Sequence, residues 1–144
     1  MSVEQTGTTA AYVHANVLLR FFTQDPPEMA EQARAALEAA ARGTQPLILL
    51  PLVLAEVIWT LQSYYRYQRQ RIADTLLAFV GARGLVVRER DIVVDALGLY
   101  RDKNLDFVDA MLAATALRRG PRRVCTFDRD FRRVPEVELV RPGS

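Results

Sequence analysis

Short apolar runs alternate along this chain with longer stretches whose apolar positions recur every three or four residues. The short runs are AYVH (11–14), PLILL (46–50), LVVRE (85–89), RRVCTF (122–127) and a shorter VELV (137–140). Their length and β-branched content predict strands. Helices are predicted between them. One starts within NVLLRFF (16–22) and a second spans 25–43, with Asp25 as cap, Pro26 in the first turn and Gly43 as stop. A third runs from Pro51 to about Tyr65 and a fourth over 68–84. A fifth covers 91–104, capped by Asp91, and a sixth covers 106–120, ended by Gly120-Pro121. Strands separated by helices imply crossovers and a parallel sheet covered on both faces. The pattern therefore predicts one α/β domain over 11–144, with a central, mainly parallel sheet of four to five strands flanked by helices. The first ten residues, MSVEQTGTTA, are expected to be a flexible tail.

Composition narrows the class. The chain has 144 residues, half of them hydrophobic, enough for one domain with a real core. The longest apolar run, LILLPLVLA, is interrupted by Pro51 and falls short of a membrane span. The N-terminus has neither the basic start nor the apolar core of a signal peptide. The one cysteine, Cys125, excludes an internal disulfide and fits a reducing compartment, so the expected location is the cytoplasm. Its context, RVCTF, predicts a small core residue in a strand.

Charge is nearly balanced at +2, but 18 of the 19 basic residues are arginine. Seven lie between Arg118 and Arg133, and another group lies in YYRYQRQR (64–71). Guanidinium forks suit phosphate, and tyrosine faces stack on bases. Arg66, Arg69, Arg118, Arg119 and Arg129 are thus candidate nucleic-acid contacts, the plainer alternative being a solvated basic surface.

In an open parallel sheet, the carboxyl ends of the strands share one edge, where sites form. His14, the only histidine, follows the first strand, Glu56 lies shortly after the second, and Asp128 directly follows the fourth. Asp109 lies in the first turn of the helix before that strand. These groups are expected to converge on one pocket. Glu56 stands in LVLAEVIWTL, apolar at almost every neighbouring position, so burial is expected. A buried carboxylate needs a partner or takes up a proton. A divalent cation would supply the partner; an arginine or partial exposure are the alternatives. Asp106 and Asp109, in DFVD, also fit a capping box. Of Asp128 and Asp130, in TFDRDF, one is expected to cap the following turn while the other faces the site, with Asp128 favoured for the site. Thr126 and Asn16 are expected to support the turns beside it.

These segments together resemble the PIN-domain ribonucleases, and within them the VapC-type toxins of bacterial toxin–antitoxin pairs. YVHANVLLR resembles the family's opening, a strand followed by Asp, a small residue and Asn. PLVLAEVIWTL matches the segment of its glutamate (Glu56), DFVDAMLAATA that of its third acid (Asp109), and CTFDRDF that of its fourth (Asp128). No single motif is specific; four in order, with helical spacers, are. The resemblance implies a metal-dependent ribonuclease in which His14, Glu56, Asp109 and Asp128 occupy the positions that hold magnesium or manganese. It also implies RNA as substrate, a cognate antitoxin that covers the acidic pocket through an apolar groove, and a homodimer.

His14 departs from that pattern, because the family's first Asp should stand there. An imidazole removes a negative charge and offers nitrogen to cations that prefer oxygen. Protonated, it would pair with Asp109 or Asp128 in the cation's place. Magnesium binding is therefore expected to be weak or absent and cleavage low. A catalytically inactive PIN-like module that binds RNA or an antitoxin is the alternative function. A receiver-like phosphoacceptor domain fits less well, because the single lysine, Lys103, lies in a helix-end stretch.

Overall fold

The computed structural model describes residues 9–143, which form five strands and six α-helices in the expected alternation. The strands are β1 (Ala11–Tyr12), β2 (Leu47–Leu49), β3 (Leu85–Val87), β4 (Arg123–Cys125) and β5 (Glu138–Val140). The helices are α1 (Ala15–Thr23), α2 (Pro27–Ala41), α3 (Pro51–Ser63), α4 (Arg69–Phe79), α5 (Arg90–Asp102) and α6 (Phe107–Arg119), with a 3-10 turn at Arg129–Arg133. Every strand pairing among the described residues is parallel: β1-β2-β3 form one sheet and β4-β5 another. The α/β class holds, with the strands divided three and two. Residues 1–8, most of the expected tail, lie outside the described residues; the carbonyl of Thr9 accepts a hydrogen bond from Gln45.

By its internal contacts the chain divides into two compact units. The first comprises the residues up to Gln68 with Ala78–Arg88, and the second Arg69–Leu77 with the residues from Glu89 onward. In the first unit, β2 is the middle strand and all three of its residues are buried. That is why its sequence is a continuous apolar run rather than an alternation. The ladder pairs Ala11 with Leu47 and Leu47 with Leu85. Val13 extends it by donating its N–H to Ile48 at 3.0 Å. His14 then turns the chain into α1, so the expected four-residue strand is shortened. Leu18, Leu49, Leu54 and Leu61 fill the core. Gly84 enters β3 with φ +81, and a Cβ there would lie 1.9 Å from the carbonyl oxygen of Ala40. Only glycine lets the end of α2 pass this close.

In the second unit, α5 packs along α6. Ile92, Val93, Ala96, Leu97 and Tyr100 are buried on α5; Phe107, Ala110, Ala113 and Ala114 are buried on α6. The alanines keep that face of α6 thin, which suits close approach of a neighbouring helix. Arg69 closes the C-terminal end of α5. Its Nη1 donates to the carbonyls of Tyr100 (2.8 Å) and Leu105 (2.6 Å), and its guanidinium lies 4.2 Å from the Tyr100 ring centroid.

Two helix starts and one cap differ from the sequence reading. α2 begins at Pro27 with Pro26, not Asp25, at the cap position. Pro26 itself precedes a proline, which holds it extended at ψ 157. α5 begins at Arg90, so Asp91 lies inside its first turn instead of capping it. The cap position belongs to Glu89, whose carboxylate is drawn to Arg119 at 2.9 Å. Asp106 stands at the cap of α6 but forms no side-chain capping bond, so the capping box is not made.

Candidate active site

Asp106, Asp128 and Asp130 lie within electrostatic reach of Asp109, at the start of α6 and the carboxyl end of β4 of the second unit. Asp109 is half-buried in the first turn of α6. Its carboxyl is pushed above the ordinary carboxylate range, first by burial and then by the negative charges of Asp106, Asp128 and Asp130. The turn after β4 is built from its own side chains. Thr126 Oγ1 accepts the N–H of Asp128 at 2.8 Å, and Asp128 Oδ1 accepts the N–H of Asp130 at 2.8 Å. Asp128, favoured for the site rather than the cap, is thus the residue that caps the 3-10 turn, which reverses the expected division between Asp128 and Asp130. Asp130 is paired with Arg133 at 3.2 Å, and Arg133 also donates to the carbonyl of Asn104 at 2.7 Å. Among the described residues, no arginine or lysine pairs with Asp106, Asp109 or Asp128.

Asp106, Asp109 and Asp128 thus hold negative charge without a basic partner on hard oxygen donors, the setting that divalent magnesium or manganese prefers. They are not closed into a cage. Among the described residues, no three His, Cys, Asp or Glu side chains stand close enough together to hold a metal ion.

The other expected site residues belong to the first unit. His14 is exposed and occupies the N-cap of α1, where its Nδ1 accepts the N–H of Asn16 at 3.1 Å. The imidazole, not the Asn16 side chain, satisfies the turn. That bond needs an unprotonated Nδ1, which puts the neutral ring's proton on Nε2. Neither nitrogen then presents a lone pair to a metal while the cap bond stands. The donor at this position therefore does not fit the group it would replace a carboxylate to hold.

Glu56 is exposed, which corrects the expected burial. Leu54, Val57, Ile58 and Leu61 form the buried face of α3. Leu52, Glu56, Trp59 and Ser63 repeat at helical spacing on the opposite, exposed side. The sequence has more apolar residues than one buried face uses, and the surplus hides the polar side. Cys125 is also exposed, although it lies in β4 as expected. In the short β4, Val124 takes the buried position, so its neighbours Arg123 and Cys125 point outward.

Three of the five candidate nucleic-acid arginines are occupied. Arg69 is held by the two carbonyls and the ring described above. Arg118 pairs with Asp95 at 2.6 Å, and Arg119 with Glu89 at 2.9 Å. Arg66 and Arg129 are exposed and carry no ion pair among the described residues. Clustering in the sequence did not separate these two groups, because the acids that occupy Arg118 and Arg119 lie in α5 and at its cap.

A PIN domain model matches residues 11–137, nearly the whole chain and both units. The chain belongs to the PIN domain family. PIN domains are generally nucleases, hydrolases of nucleic acid that use divalent metals. No curated protein matches the sequence.

Proposed function

We propose that the chain is a metal-dependent endoribonuclease of the VapC toxin type whose activity is weakened by His14. The observation that carries this reading is the half-buried Asp109, whose carboxyl is raised first by burial and then by the charges of Asp106, Asp128 and Asp130, with no basic partner among the described residues. Glu56, Asp109 and Asp128 are assigned the catalytic role that the order of their segments implies. A divalent cation, when bound, supplies Lewis acidity to the phosphodiester and an acidified water. Asp109 and Asp128 attract it, Thr126 and Asp130 fix the turn that carries Asp128, and Asn16 keeps His14 in place. The substrate is RNA, whose backbone is met by Arg66 and Arg129.

The proposed partners are a second copy of the chain and a cytoplasmic antitoxin. What supports an antitoxin is a largely apolar cleft of about 230 Å³ between α1 and α2, lined by Asn16, Val17, Arg20, Met29, Ala33 and Ala36. Separately, an arginine carried by an antitoxin would pair with the unneutralised carboxylates of the second unit. No helix among the described residues is long and apolar enough to cross a membrane.

One observation favours a second reading, a PIN module that binds RNA or an antitoxin without cutting. His14 spends its acceptor nitrogen on the helix cap. Cleavage of a mixed RNA pool in magnesium, manganese and chelator separates the two. The chain as it stands is expected to cut slowly, His14→Asp faster, and Asp109→Asn or Glu56→Gln not measurably. Equal rates in the chelator, or no effect of Asp109→Asn, would end the nuclease assignment to these acids.

A further inference from the structure

The exposed side of α3 carries side chains that a water-facing helix does not need. Leu52 is 70% exposed and Trp59 67% exposed, and Tyr64, at the C-cap of the helix, is 75% exposed. Trp59 is the only tryptophan in the chain. It stands three residues after Glu56 on the same stripe, about 4.5 Å further along the helix axis. Tyr64 meets Tyr65 edge-to-face, with ring centroids 5.0 Å apart, and Tyr65 in turn lies 6.1 Å from Tyr67. Its ring is thus steadied by a neighbour while most of it faces solvent. Arg66 follows, exposed.

Charge says what these flat surfaces suit. From Val57 to Ala73 the chain contains no Asp or Glu and carries Arg66, Arg69 and Arg71. A docking helix from another protein would meet an apolar stripe interrupted by Glu56 and Ser63. A second copy meeting this surface would bring a second set of the same cations, with Glu56 as the one acid of the stripe to receive them. A polyanion with flat, stackable faces uses the rings and the guanidinium groups together, and meets Glu56 as the one acid on the stripe. Single-stranded nucleic acid has that chemistry, with bases that stack on aromatic rings and phosphates that pair with guanidinium groups.

We propose that Trp59 is a base-stacking residue for single-stranded RNA, and that Tyr64 and Arg66 continue the track beyond the end of α3. This rests on the nuclease reading for the choice of RNA, and it gives that reading a binding register: the base on Trp59 lies one helical turn from Glu56. Duplex RNA keeps its bases paired and stacked and gains nothing from Trp59.

The lone tryptophan makes the test direct. A short single-stranded oligoribonucleotide is titrated into the protein in chelator, where no metal-dependent cleavage occurs, and indole fluorescence is followed. Saturable quenching is expected with the single strand and not with a duplex of the same sequence. Anisotropy of labelled RNA is expected to show about tenfold weaker binding for Trp59→Ala and for Tyr64→Ala, with Trp59→Phe intermediate. Circular dichroism checks that each variant is folded. Unchanged affinity in folded Trp59→Ala, or equal quenching by duplex, overturns the proposal. So does an emission shift that follows protein concentration without RNA, which would assign the face to a second copy. Quenching without any cleavage in magnesium would retain the stacking site and remove the nuclease reading; cleavage without quenching would do the reverse.

Discussion

His14 sits where the family's opening motif asks for a carboxylate, and the structure gives it a different task. Its Nδ1 receives the Asn16 N–H and closes the first turn of α1. An aspartate at this N-cap can accept the same bond, and its charge suits the helix N-terminus. His14→Asp is therefore expected to keep or raise stability, by up to about 1 kcal/mol, while strengthening magnesium-dependent protection against thermal unfolding. A loss of folding, or no change in the magnesium response, would show that the position serves the cap alone. Asp109 leads to the opposite trade. Its raised pKa means that the folded state holds its proton at a pH where the unfolded state has released it. Stability from this group therefore falls as pH rises through that window, and the full cost is present at neutral pH. Asp109→Asn should unfold at higher temperature than the parent near pH 7 in chelator. The gain should fade as pH falls through the raised pKa and be gone below the ordinary carboxylate range, a comparison that thermal melts across pH settle. Asp109 was legible in the sequence as a first-turn acid. The cap role of His14 was not, because a histidine acceptor is chosen by local geometry rather than by spacing.

At the scale of elements, the alternation of apolar runs located every strand and α-helix of the described residues, and missed where several begin and which way some residues face. Pro26-Pro27 shifted the start of α2, and surplus apolar residues on α3 concealed that Glu56 is on its exposed side. Both misses have one physical source: a helix boundary or face is decided by the tertiary surface available, while the pattern records only how much apolar material there is. Two positions show how tightly the elements are joined inside each unit. Gly84 admits the α2 carbonyl of Ala40 at a positive φ, so Gly84→Ala should cost about 2–4 kcal/mol in denaturant unfolding. A cost under half a kcal/mol would mean that the end of α2 gives way easily. Arg69 donates to two carbonyls near the end of α5 and covers Tyr100. Arg69→Ala should cost about 2–3 kcal/mol, and lysine should recover little of it, because a single ammonium cannot reproduce the fork and the stacked plane. An arginine read from the sequence as a nucleic-acid contact thus acts as a structural clamp.

Across the whole molecule, a net charge of +2 and a basic composition say little about how many cations remain for a nucleic acid, because part of that charge is already paired within the units. Arg118 and Arg119 serve the acids of α5 and its cap, Arg69 serves carbonyls, and of the five candidates Arg66 and Arg129 are left exposed without an ion pair among the described residues. This fixes a magnitude. Each phosphate neutralised on a single strand contributes about −0.7 to the slope of log affinity against log salt. Two free arginines give about −1.4, whereas all five would give about −3.5. Binding of a labelled single-stranded RNA in chelator, measured over a range of salt concentrations, is expected to lie near the shallower slope. Arg66→Ala should reduce it by about 0.7, and Arg118→Ala should leave it unchanged. Shallow electrostatics of this kind leave much of the affinity to base stacking, which salt screens weakly, so tight binding at high salt should survive Arg66→Ala better than Trp59→Ala. A slope near −3.5 would mean that further cations join on binding, either exposed arginines outside the five, such as Arg122 and Arg132, or Arg118 and Arg119 released from Asp95 and Glu89; a fall in slope on Arg118→Ala would select the second.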